Sequence, residues 1–113
     1  MKEFLFVFRN DHPAAHKGSP EEMQAVTKQW MDWIGGIAAQ NKLVDRGNRL
    51  AAEGSTLKPG NVITDGPFME IKEAIGGYTL VRAESLAEAT EMAKGCPIFQ
   101  FGGSVEVRAI NPL

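Results

Sequence analysis

The side chains best suited to chemistry are concentrated in one stretch, TDGPFMEIKEAIGGY, residues 64–78. It carries carboxylates at Asp65, Glu70 and Glu73, an ammonium at Lys72 and a phenol at Tyr78. A carboxylate beside a lysine can transfer a proton or hold a polar substrate, because the ammonium tunes the carboxylate's proton affinity. The local backbone is constrained. Pro67 has no N–H and pushes Gly66 out of the helical region. Asp65 can hydrogen-bond its own backbone downstream as an Asx turn. Thr64 to Phe68 is therefore predicted to be a rigid corner, with Phe68 anchored inward. If the chain beyond it is extended, Glu70 and Lys72 point the same way as Phe68, about 7 Å apart. Residues 74–77 are predicted to turn the chain into the next strand and bring Tyr78 alongside. On this reading Asp65 or Glu70 is the general acid or base, Lys72 is its electrostatic partner, and Phe68 and Tyr78 help to bind the ligand. The plainer reading is a solvated hairpin, whose Glu–Lys pair contributes less than about 1 kcal/mol.

Other reactive groups have a plain reading beside a functional one. His12 and His16 flank Pro13. An H-x-x-x-H pair has ligand spacing only on a helix, and Pro13 argues against one, so no metal site is expected. His16 is kept as a ligand-binding group that could act as acid or base across the rim of a pocket. Trp30 and Trp33, with Met23, Met31 and Met92, could line a ligand cavity. At helical spacing they equally form a core stripe. Cys96 is the lone cysteine. With no histidine placed near it by sequence, it reads as a buried structural thiol rather than a nucleophile. Glu106 and Arg108 alternate with valines and suit either a pocket between sheets or a cross-strand or intersubunit ion pair. No phosphate loop, dinucleotide fingerprint or Ser–His–Asp arrangement is visible, so no bound nucleotide, flavin or other cofactor is expected.

Recognisable elements hold these groups in place. In EFLFVFR, Phe4, Phe6 and Phe8 share one face of a strand, and Leu5 and Val7 share the other. Both faces are apolar, so both need cover. Ser19-Pro20-Glu21-Glu22 is a capping box that opens a long helix ending near Asn41. Its apolar stripe is Met23, Val26, Trp30, Trp33, Ile34 and Ile37. Gly35 and Gly36 inside it each cost about 1 kcal/mol against alanine, which implies close approach of another backbone. Residues 48–53 suggest a short strand, 58–61 a turn, and Val62-Ile63 another short strand running into the motif. A strand is expected over 77–83. Ser85-Leu86-Ala87-Glu88 then caps a second helix, ended by Gly95 and Pro97. SVEVRAI, with Val105, Val107 and Ala109 on one face, is the last strand. The order βαββαβ is that of a ferredoxin-like α+β fold. Two helices cover one face of such a sheet, so the second face is expected to be covered by a second copy, giving a homodimer.

The chain's 113 residues are consistent with one domain spanning 1–113. Apolar residues make up 43% and charged residues 23%, and the net charge is −2. No basic cluster with interleaved aromatics is present, so no nucleic-acid partner is expected. The opening apolar run is too short for a signal core or a membrane span. With a single cysteine, this suggests a soluble cytoplasmic protein with no membrane partner.

TDGPFMEIKEAIGGY, with the later GCP and GGSVEVR, resembles the DGPF-type members of the YCII-related family over nearly the whole chain. The resemblance implies a ferredoxin-like fold of the dimeric α+β barrel type, and some such domains are linked to sigma-factor-like regulators. YCII-related members carry a histidine on the first helix and an aspartate before a proline after the second helix, discussed as an acid–base pair. By phase these positions correspond to Trp30 and Cys96, and neither side chain can take that role. An acid–base pair here would have to lie elsewhere, at Asp65, Glu70 and Lys72. Two functions follow: a cofactor-free enzyme doing acid/base chemistry on a small polar molecule, or a non-catalytic ligand-binding or regulatory module whose DGPF motif is structural.

Overall fold

The computed structural model describes residues 1–10, 19–65 and 74–113. Strand β1, Lys2–Asn10, is the centre of a four-stranded antiparallel sheet. Helix α1, Pro20–Ala39, follows it, then β2, Leu43–Asp45, the hairpin strands β3, Ser55–Lys58, and β4, Val62–Asp65, and then β5, Ala74–Ala83. Helix α2, Leu86–Ala93, a 3₁₀ turn over Pro97–Phe101 and β6, Ser104–Ala109, complete the chain. The sheet order is β2-β5-β1-β6. Counting only its own strands, that places the fourth beside the first, then the third and the second. This is the ferredoxin-like α+β arrangement of the dimeric α+β barrel type, with the β3–β4 hairpin inserted between the second and third sheet strands.

Alternation on β1 sets the register. Phe4, Phe6 and Phe8 stand opposite Val81, Thr79 and Gly77 of β5 and opposite Ala109, Val107 and Val105 of β6. Residues directly opposite each other in an antiparallel pair share a face. The phenylalanines therefore face the same side as Val81, Val105 and Val107, and both helices pack there. Ile37 of α1, Ala89 and Ala93 of α2, Cys96 and Ile98 close this core. Phe6 stacks on Trp33 with ring centroids 6.0 Å apart. The Trp33 indole N–H donates to the Met92 carbonyl at 3.0 Å, which ties α1 to α2.

Both helices begin as their capping boxes predict. Ser19 Oγ accepts from the Glu22 N–H at 3.1 Å, and Ser85 Oγ accepts from the Glu88 N–H at 3.1 Å. Each bond satisfies a backbone donor that the first helical turn cannot. Lys42, just before β2, reaches Glu88 at 2.7 Å. The hydrogen bond from the Lys42 ammonium holds the Glu88 carboxyl below its ordinary range and ties the sheet edge to α2.

Three expectations are corrected. Residues 48–53 do not form a strand: only Arg49 bridges to Gly77. The second sheet strand is Leu43–Asp45, and the ladder breaks after it because Asp45 Oδ1 accepts from the Gly47 N–H at 2.7 Å and Gly47 takes φ +72. Residues 74–77 do not turn; they are the start of β5, paired with the end of β1. Among the described residues no other backbone approaches Gly35 or Gly36: a Cβ at either meets nothing within 4 Å. The stripe on α1 is also covered unevenly, since Ile37 is buried while Met23 is 52% exposed.

Open space at the helix glycines has a measurable consequence. Gly35→Ala and Gly36→Ala should each raise the free energy of unfolding by up to about 1 kcal/mol, as relief of glycine's helix penalty predicts. Urea midpoints measure this, and a drop in midpoint for either variant would contradict the packing described.

Candidate functional site

The structure places the expected site residues unequally. Phe68, Glu70 and Lys72 of the motif lie outside the described residues, as do His12 and His16. Asp65 enters through its backbone, as the last residue of β4, paired with Ser55. Trp30 and Tyr78 are described, and they lie on opposite faces of the sheet. Trp30 packs edge-on against Phe8, with centroids 5.0 Å apart, and against Trp33 at 5.8 Å. That is the helix side. Tyr78 stands opposite Val7, on the side away from the helices. One cavity within the chain therefore does not hold both. Trp33 is fixed in the core by its stacking and its indole hydrogen bond.

The Gly-Gly-Tyr end of the motif is positioned by the segment after β2. The Tyr78 N–H donates to the Asn48 carbonyl at 3.2 Å, and the Leu50 N–H donates to the Gly76 carbonyl at 2.9 Å. Thr79, buried among apolar side chains, donates its hydroxyl to the Arg46 carbonyl at 2.9 Å. This close apposition requires glycine at two places. A Cβ on Gly77 would lie 2.8 Å from the Asn48 carbonyl oxygen, and one on Gly47 would lie 1.8 Å from the Tyr78 carbonyl oxygen. Gly76 is under no such constraint, since its nearest neighbour would be 3.7 Å away. The Asn48 amide also reaches the Tyr78 hydroxyl, at 3.4 Å. Asn48 was not legible as a site residue, because its partner lies thirty positions on and no local spacing links them.

The face that bears Tyr78 is the sheet's other apolar surface. Leu5 and Val7 of β1 stand opposite Leu80 and Tyr78 of β5. Among the described residues neither helix packs on it. A line of charge runs along its β6 side: Arg9 Nε lies 3.5 Å from Glu106 Oε1, and Arg108 Nη1 lies 3.4 Å from Glu106 Oε2. Glu106 thus makes a cross-strand ion pair, with Arg9 of β1, and a second pair with Arg108 two residues on in its own strand. The alternation of β1, continued past Val7, points to Arg9. These groups are partly solvated, so the chain of charges contributes little stability; it is a polar rim to an apolar floor.

Cys96 is buried behind the 3₁₀ turn. Burial pushes its thiol up to about 12, so at neutral pH it is neither thiolate nor ligand. Among the described residues no group of three or more His, Cys, Asp or Glu side chains could hold a metal ion. A groove lined by Met1 to Glu3 and Ala109 to Pro112 lies at the start of β1, the opposite end from its pairing with Ala74 to Gly77.

Residues 4–113 match the YCII-related domain. No curated protein matches the chain by sequence. Among solved structures, 5-chloro-2-hydroxyhydroquinone dehydrochlorinase from Burkholderia phenoliruptrix AC1100, in complex with 2,5-dihydroxybenzoquinone, is similar at 17% identity, covering 96% of this chain and 93% of that chain with a TM-score of 0.45. The likeness transfers no residue role.

Two outcomes check this geometry. Gly77→Ala should destabilise the fold by about 1–3 kcal/mol, in the range of overpacking, while Gly76→Ala is nearly neutral. Equal urea midpoints for the two variants would refute the apposition of Asn48 and Gly77. Cys96 should resist iodoacetamide at mildly alkaline pH until the chain unfolds, as mass spectrometry can follow; prompt labelling of the native protein would show an accessible thiolate.

Proposed function

The chain belongs to the YCII-related domain family, and we propose that it acts as a homodimer with a site for a small polar molecule beside the 64–78 segment. The reaction is acid–base chemistry without a bound cofactor. Asp65 or Glu70 serves as the general acid or base, Lys72 stabilises charge, and Phe68 and Tyr78 help to hold the ligand. His16 belongs to the same proposal as an acid or base donated across the rim of the pocket, whereas Trp30, packed against Phe8 and Trp33 on the helix side, does not reach this face.

The observation that supports this reading most is the sheet face without a helix. It combines an apolar floor of Leu5, Val7 and Leu80 with the Tyr78 hydroxyl and the Arg9–Glu106–Arg108 rim. A mostly apolar surface with a few placed polar groups is the usual composition of a small-molecule site. A second copy closing over it would exclude water and strengthen every charge interaction inside. The free buried Cys96 favours a reducing compartment, and we place the protein in the cytoplasm. No helix among the described residues is long and apolar enough to cross a membrane.

One observation favours a non-catalytic module instead. Gly77 of the motif is accounted for by packing against Asn48, so part of the motif is structural. Thermal-shift screening with small carboxylic acids, phenols and amides separates the two readings. On the enzyme reading some compound stabilises the wild type, and Glu70→Gln or Lys72→Met abolishes turnover of that compound while leaving the melting temperature of the free protein unchanged. Saturating ligand at a hundred times its Kd adds about 2.7 kcal/mol. A fall in melting temperature for both variants, with no loss of binding or turnover, would overturn the catalytic assignment in favour of the structural one.

A further inference from the structure

Two arginines differ from the rest in having no counter-charge. Arg9 and Arg108 both reach Glu106, and the Arg82 guanidinium donates to the Asn41 carbonyl at 3.0 Å. Arg46 and Arg49 are exposed, and among the described residues neither guanidinium has a hydrogen-bond or ion-pair partner. The carboxylate nearest to them in sequence, Asp45, turns instead to the Gly47 N–H, which donates to its Oδ1 at 2.7 Å.

The backbone that carries the two arginines is fixed along the outer edge of β5. The Arg46 carbonyl accepts from the Thr79 hydroxyl at 2.9 Å. The Asn48 carbonyl accepts from the Tyr78 N–H at 3.2 Å, and the Leu50 N–H donates to the Gly76 carbonyl at 2.9 Å. These bonds hold the segment at the first arginine, between the two and just after the second. Asp45 pairs with Leu80, on the side away from the helices, so strand alternation puts Arg46 on the helix side. Arg49 bridges to Gly77, which stands opposite Phe8, so Arg49 is on the helix side too. Both cations therefore leave the same side of one sheet edge, three positions apart. Like charges held close together repel and stabilise nothing by themselves. A planar guanidinium matches the two oxygens of a carboxylate or phosphate, and two on a rigid segment cost little further ordering when such a group binds.

We propose that Arg46 and Arg49 form an oxyanion site, which takes the carboxylate or phosphate group of a small molecule at the edge of β5. It lies across the sheet from the Tyr78 side chain, goes beyond the function proposed above and needs no second copy of the chain.

Titration calorimetry on the full chain at low salt tests the site, with inorganic phosphate and benzoate as probes and benzamide as the neutral match for benzoate. Phosphate or benzoate should bind the wild type, and the tighter of the two names the anionic group. Arg46→Gln and Arg49→Gln should each raise its Kd about tenfold, as loss of a charge-assisted bond predicts, and the double variant more. Arg46→Lys/Arg49→Lys, which keeps the charge without the planar fork, should bind with intermediate affinity. Urea midpoints of the free variants should equal or exceed the wild type's, because these side chains make no described bond. Lys28→Gln/Lys94→Gln, which removes the same charge elsewhere, should leave Kd within about twofold, since exposed charges at a distance are largely screened. No binding of either anion to the wild type overturns the site. So does a double glutamine variant that binds as tightly as the wild type, because the anion is then held elsewhere. Equal loss in the lysine control, or benzamide binding as tightly as benzoate, overturns it as well.

Discussion

The structure depends on the burial of Phe4, Phe6 and Phe8 along one side of the central strand. These three rings fix which way β1 faces, and β1 in turn fixes both neighbouring strands, because register in an antiparallel sheet cannot slip by one residue without turning every side chain over. Trp33, Ile37 and α2 then have one place to go. The same alternation forces Leu5 and Val7 to the opposite side. A strand that is apolar on both faces cannot satisfy both with two helices that lie on one side, and that imbalance drives the quaternary and functional readings alike.

The fold was legible where short-range chemistry decides structure. Two Ser-x-x-Glu boxes marked both helix starts, and both serine hydroxyls make the expected bonds. The alternation of β1 and β6 was readable as period two. What could not be read was set by distant partners. Residues 48–53 carry strand-like composition, yet Gly47 and the Asp45 side chain bend the chain so that only Arg49 bridges. Gly76 and Gly77 look like turn residues, yet they lie in β5 because Asn48 approaches that strand too closely for a side chain at Gly77. Leu57 gave no strand signal of its own, since it pairs with Ile63 across a turn.

The candidate site was legible as a set of residue types rather than as a place. Asp65, Glu70 and Lys72 stood out by charge and spacing on a Gly-Pro corner. The other contributors, Tyr78 with Asn48 and Arg9 with Glu106, come together only through the sheet. The two positions that correspond by phase to the YCII-related acid–base pair, Trp30 and Cys96, are held by aromatic packing and by burial. Neither offers a proton near neutral pH. The proposed chemistry is therefore placed on the sheet face away from the helices, where Tyr78 lies and where the proposed second copy would exclude water.

The central claim is that this second face is closed by another copy of the chain. Sedimentation equilibrium of the unmodified protein across the micromolar range tests it most directly. The account predicts twice the chain mass of 12.3 kDa, with a smooth fall toward the single-chain value on dilution. A single-chain mass at every concentration would contradict it.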